Sequence, residues 1–151
     1  MPGRITGHLR LITPTATRAG TNLVTRGGGE IVARRLFGAE AAPVDRVGLG
    51  FARDSADADA TKLTPPDTDI AADALSAPLP QEALSFVTDL DGIVRVSVAA
   101  EFTPIADLED VTEAGLFAGD TLYNQVVFEP VTLRTGQRVT FFWDIDIPFG
   151  D

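Results

Sequence analysis

Asp144 and Asp146 have the spacing in this sequence best suited to chemistry. On an extended strand they share a face, and with Glu129 or Asp120 across the preceding turn they would make an oxygen-rich cation site or a paired-carboxylate site. The plainer reading is polar residues alternating toward water or a partner. Asp54, Asp57 and Asp59 have some look of a calcium loop, but the glycine and distant bidentate glutamate of an EF-hand are missing, so a solvated acidic loop is expected. Gly27-Gly28-Gly29 ahead of a helix has the composition of a phosphate cradle. The Lys-Ser/Thr of a P-loop is absent and Glu30 repels an anion, which leaves a flexible lead into a helix. His8 is the only imidazole and has no Ser or Cys partner in a triad-like setting, so it reads as a surface or interface histidine. With no Cys there are no thiol nucleophiles, thiolate metal sites or disulfides. The expectation is a protein that is not an enzyme, with no catalytic, cofactor-binding or metal residues.

Length and charge bound the rest. The 151 residues are 44% hydrophobic, enough for one core, so residues 1–151 are expected to form a single β-rich domain. A net charge of −10, from 22 acidic against 12 basic residues, argues against nucleic acid and anionic lipid as partners. Arginine dominates the basic residues, and carries no functional weight alone. No run reaches the length of a membrane span, and the Met-Pro-Gly-Arg start has no apolar leader, so synthesis in the cytoplasm of the cell that makes it is expected.

The elements that would position these residues are mostly strands. Val139, Phe141, Trp143, Ile145 and Ile147 alternate with Arg138, Thr140, Asp144 and Asp146, the period of a half-buried strand broken only by Phe142. Leu122, Val126 and Phe128 repeat the spacing before it. With a Thr135-Gly136 turn between them, the two segments are expected to pair as a hairpin at the centre of the core. Upstream, Ile5, Gly7, Leu9 and Leu11 give one face of a first strand, with Thr6, His8 and Arg10 on the other. Residues 13–20 read as a polar connection and residues 22–25 as a short extended piece. A short helix is expected over about residues 29–37, ended by Gly38.

Val47, Leu49 and Phe51 alternate with Gly48 and Gly50, glycines that suggest close approach of another backbone. Residues 52–83, rich in Ala, Asp, Thr and Pro, read as a long irregular loop or arm between strands, with at most one helical turn. Asp91-Gly92 joins two strands in the clearest hairpin signal of the chain, with Val94, Val96, Val98, Ala100 and Phe102 inward. Residues 106–111 read as a loop. The fold class is therefore mainly β, an antiparallel β-sandwich or barrel of roughly seven strands with one short α-helix.

One resemblance bears on function. The succession Asn22-Leu-Val-Thr25, a glycine-led helix ending Arg35-Leu-Phe-Gly38, Pro43-Val-Asp-Arg-Val-Gly-Leu-Gly50, Glu113-Ala-Gly-Leu-Phe117, and Leu122-Tyr-Asn-Gln-Val-Val-Phe-Glu-Pro-Val131 with Phe142-Trp-Asp-Ile145 resembles a group of small tailed-bacteriophage virion proteins. In these a strand, "NLV", a short helix, an "I-x-x-I-x-L-G" strand, a "GLF" turn and an "LFNRVVFEP…L…W-I-F" ending recur in this order. The likeness spans residues 9–51 and 86–149. Tyr123 stands where the pattern usually has Phe, and Gln125 where it often has Arg, which removes a charge that would pair with Glu129.

The resemblance implies a structural protein of the virion without catalytic residues or cofactor. The first expectation is a capsid decoration, or cement, protein on the head shell, contacting the major capsid protein or another virion protein. A homo-oligomer is expected, with trimers preferred because such decorations sit on three-fold positions. The sheet edges, the N-terminal segment and the 52–83 arm would carry the assembly contacts. A tail, baseplate or fibre component is the second expectation. The third is a carbohydrate- or ion-binding β module using Trp143, Tyr123 and the aspartates.

Overall fold

The computed structural model describes residues 4–150. Residues 1–3, which the sequence reading takes as a start without a leader, and residue 151 lie outside the described residues. The chain is mainly β, an antiparallel sheet curled into a half-barrel. Its strands are β1 (Thr6–Ile12), β2 (Thr17–Val24), β3 (Val44–Gly50), β4 (Ser76–Pro78), β5 (Leu84–Val87), β6 (Ile93–Phe102), β7 (Leu108–Ala118), β8 (Thr121–Leu122), β9 (Asn124–Leu133) and β10 (Val139–Pro148), with helix α1 (Arg26–Leu36) after β2. The order across the sheet is β4-β3-β7-β9-β2-β1-β10-β6-β5, with β8 on β7.

The expected hairpin of the last two long strands does not form. The Thr135-Gly136 turn is present, with Gly136 at φ +82°. It carries the chain from β9, which pairs with β7 and β2, to β10, which pairs with β1 and β6. Strand β2 makes the curl possible, because Thr17–Thr21 pair with β1 while Asn22–Val24 pair with β9. At the crossing a Cβ on Gly20 would lie 2.9 Å from the Val127 carbonyl oxygen, so only glycine fits. Residues 17–20, within the stretch 13–20 expected as a polar connection, are strand. The alternation there involves Arg18, Gly20 and Asn22, polar or small residues that carry no apolar period.

The inward faces are those expected. Leu9 and Leu11, then Val98, Ala100 and Phe102, and Val139, Phe141, Trp143 and Ile145 meet Leu116, Val126, Phe128 and Leu133 in one core. Phe142, the residue that breaks the alternation, faces out beneath Arg10, whose guanidinium carbon lies 4.9 Å from the ring centroid. The Asp91-Gly92 hairpin forms as β5 and β6, with Gly92 at φ +74°.

Three boundaries differ from the sequence reading. Among the described residues there are ten strands rather than roughly seven. The helix starts at Arg26, so Gly27 to Gly29 lie inside its first turn, and the Thr25 hydroxyl caps it by accepting from Gly28 N–H at 3.0 Å. Residues 106–111 and the supposed Gly-Leu-Phe turn largely belong to the single long strand β7.

Residues 52–83 contain two short 3-10 turns (Ala72–Leu75 and Gln81–Ala83) and β4, and they lie against their own sheet. Phe51 N–H donates to Thr64 O at 3.0 Å, and Arg26 N–H donates to Ala58 O at 2.7 Å. Leu63 sits over Gly48, Gly50 and Gly115, whose missing side chains leave the space. The segment is a long irregular loop between strands, and these contacts pack it on its own sheet. The glycines of β3 admit the Leu63, Phe117 and Glu113 side chains rather than another backbone.

Candidate functional site

Asp144 and Asp146 share the outer face of β10, as their spacing requires. Across the ladder Asp144 lies between His8 and Ser97, and Asp146 between Thr6 and Arg95. The Arg95 guanidinium grips Asp146 with both ends, Nε to Oδ1 at 2.7 Å and a terminal nitrogen to Oδ2 at 3.1 Å. This hydrogen bonding holds the Asp146 carboxyl below its ordinary range, against a smaller opposing effect of burial, and raises the Arg95 guanidinium. Asp144 accepts from the Ser97 hydroxyl at 2.8 Å. Both carboxylates are thus occupied by neighbours on β6.

Glu129 and Asp120 are not brought to them. In the sheet β2 and β1 stand between β9 and β10, so the third oxygen that a cation or paired-acid site would need is on another part of the curl. Among the described residues no three His, Cys, Asp or Glu side chains are grouped to hold a metal ion.

The other candidates are local structure. Asp57 Oδ1 accepts from Asp59 N–H at 2.9 Å, and Asp59 pairs with Arg26 at 2.8 Å, so these aspartates shape the loop and tie it to the helix start. Gly28 is pressed against the Tyr123 carbonyl, which a side chain there would overlap, so Gly28 serves packing, whereas Gly29 faces open space. His8 is exposed on the outer face. Trp143 is fully buried, and Tyr123 is buried with its phenol pushed up by desolvation, so neither is open for a sugar to stack on.

A polar cluster inside the sheet went unread in the sequence. Glu113 on β7 is completely buried. Its Oε1 accepts from Thr64 N–H at 2.7 Å and its Oε2 from the Gln125 side-chain amide of β9. Gln125 Oε1 in turn accepts from Asp57 N–H at 3.0 Å. Two loop amides are therefore held by a buried acid and amide, with Gly50 leaving room for the carboxylate. The only sequence signal was an acid amid the apolar residues of 111–117. A second unread group, Asp107, accepts from both the Thr135 N–H (2.8 Å) and hydroxyl (3.0 Å), which lower its pKa and fix the turn before β10.

Beside this turn a shallow cleft of about 410 Å³ runs between Phe51, Ile70 and Thr112, rimmed by Asp67, Asp107 and Glu109. Arg53 pairs with Asp67 on its rim. Nothing in it pairs a nucleophile with a base. No helix among the described residues is long and apolar enough to cross a membrane. Comparison with protein-family models, curated proteins and solved structures finds no match.

Proposed function

We propose that this chain is a non-enzymatic structural protein of a tailed-bacteriophage virion, a capsid decoration protein that stabilises the head shell through contacts between subunits. The order of its motifs resembles such proteins. The observation that carries the reading is apolar surface left open on an otherwise acidic chain, most of it grouped at two places, with Ile105 exposed at a third. Leu36 and Phe37, at the end of α1, are 74% and 85% exposed. Phe86, Ile147 and Phe149 are exposed at one end of the curled sheet. Open apolar surface on a folded domain marks a place where a neighbour sits.

On this reading the chain is made in the host cytoplasm, self-associates, preferably as a trimer at three-fold positions, and binds the major capsid protein or another virion protein. The same surfaces would serve a tail, baseplate or fibre component. Separate imaging of purified heads and tails with the labelled protein is the test. Label on heads is the expected result, label on tails alone moves the assignment to the tail, and its absence from both overturns the virion reading.

A further inference from the structure

We propose that two copies of this chain pair through the outward face of α1, the two helices lying antiparallel across a two-fold axis. The proposal rests on the self-association part of the function proposed above, since it needs a second copy, and not on the virion.

The face follows from the helix. Gly29, Val32, Ala33, Leu36 and Phe37 stand at i, i+3, i+4, i+7 and i+8, the spacing of an apolar stripe along one side of a helix. Such a stripe ordinarily covers the core of its own domain. Here it faces water. The helix rests on the sheet through its other side, where Gly28 lies against the Tyr123 carbonyl, Gly27 against Thr121, and Ile31 against the core. All five stripe residues are exposed, and a Cβ built on Gly29 would meet nothing within 4 Å. Gly29 and Ala33, about one turn apart, leave the backbone bare enough for a second helix to come close, while Val32, Leu36 and Phe37 supply the apolar contact.

The occupant is identified by charge and symmetry. The chain carries −10, so two copies repel wherever acidic surface meets acidic surface. Residues 27–42, the helix and its exit, hold two acids, Glu30 and Glu40, and two bases, Arg34 and Arg35. This segment is neutral, and the whole excess of acid lies elsewhere. A partner of one sign gains nothing from a patch of both signs, whereas a reversed copy of the patch matches it.

The arrangement sets the direction of the pair. Glu30 and Arg34, joined at 2.9 Å, form a row beside the stripe. Laid antiparallel, the row of one copy lies along the same row of its mate with the ends exchanged, so each Glu30 comes beside an Arg34. A parallel pair would set Glu30 against Glu30 and Arg34 against Arg34. Arg35 is turned back to the Ala41 carbonyl at 2.9 Å, and Asp120 belongs to the turn on the inward side that touches Gly27 and Ala42. A two-fold joint is isologous and closes at two copies, which leaves any three-fold contact to other surfaces. One helix face buries less than the roughly 800 Å² per partner of a standard interface, so a dissociation constant on the order of 100 µM is expected.

The test uses the full chain and three exposed variants, Leu36→Ser with Phe37→Ser, Glu30→Lys, and Arg34→Glu, each checked for unchanged circular dichroism. Sedimentation and light scattering are followed from about 1 µM to about 1 mM, and pairing is read as a doubling of the mass found at the lowest concentration. The wild type is expected to double. Leu36→Ser with Phe37→Ser should weaken pairing at least about tenfold by removing the apolar contact. Glu30→Lys and Arg34→Glu each place like charges across the joint and should pair less tightly alone. An equimolar mixture of these two sets a basic row against an acidic row and should pair at least as tightly as the wild type. A wild type whose mass never doubles overturns the joint, and one that is also monomeric throughout overturns the self-association as well. Doubling that survives Leu36→Ser with Phe37→Ser unchanged overturns the joint and leaves self-association standing. Charge variants that pair no better mixed than alone overturn the antiparallel two-fold arrangement.

Discussion

The indole N–H of Trp143 donates to the side-chain oxygen of Asn22 at 3.2 Å, through space left by Gly7, where any side chain would overlap that oxygen. Trp143 lies on β10 and Asn22 on β2, and β1, which carries Gly7, runs between them. One glycine thus lets a polar contact cross three strands inside an apolar core. The bulk of the indole and its one polar atom make separate contributions. Trp143→Ala should cost about 3–5 kcal/mol in chemical denaturation, and Trp143→Phe, which keeps a ring but leaves the Asn22 oxygen unpaired, about 1–3 kcal/mol. In the folded wild-type protein a soluble quencher should leave the Trp143 emission largely intact. Full quenching would contradict the buried face.

The buried Glu113 gives a prediction about the loop rather than the core. Glu113→Ala strands the Gln125 amide and the Thr64 N–H, each worth roughly 1–3 kcal/mol when unsatisfied. Hydrogen exchange should then speed up at Thr64 and Asp57 more than at β10. If exchange rises uniformly along the chain, the acid is not the strap of this loop.

Deleting residues 56–80 with a short Gly/Ser bridge removes the Asp57 and Thr64 amides held by Gln125 and Glu113, together with the Leu63 cover of β3 and β7. The shortened chain should be less stable than the wild type by denaturant midpoint even as an isolated protein. An unchanged midpoint would mean that the segment serves only contacts with neighbours.

Two glycines of α1 should respond in opposite directions. Gly29→Ala meets nothing within 4 Å and relieves a poor helix former, so a gain of about 0.5–1 kcal/mol is expected. Gly28→Ala drives a methyl into the Tyr123 carbonyl and should destabilise the chain or shift the helix. Thermal unfolding of the two variants side by side decides it.

Acid should weaken the fold partly through Asp146 and Asp107, whose folded-state pKa values are lowered by Arg95 and by Thr135 respectively. A lowered carboxyl stabilises above its ordinary value near 3.9, begins to lose that contribution as pH falls through it, and has lost all of it below the folded-state value. Asp146→Asn should therefore reduce stability at neutral pH and leave a shallower decline between neutral pH and pH 3. An identical slope in variant and wild type would show that this pair does not contribute.

The sequence by itself determined the class, the faces and several turns. Alternation at Val139 to Ile145 and at Val98 to Phe102 assigns side chains to the core because successive residues of a strand point to opposite sides wherever the strand lies. Gly92 and Gly136 mark turns because the positive φ there is local to the residue. Pairing is not local. Only the tertiary structure decided that the Thr135-Gly136 turn separates β9 from β10 instead of folding them together, since the partner of a strand is set by the curl of the whole sheet and by β2 dividing its ladder between β1 and β9. For the same reason Asp144 and Asp146 were legible as a pair on one face, whereas their engagement with Ser97 and Arg95, the isolation of Glu129 and the burial of Glu113 against Thr64 were not. These depend on which residues, tens of positions apart, are made neighbours by packing, and no spacing along the chain encodes that.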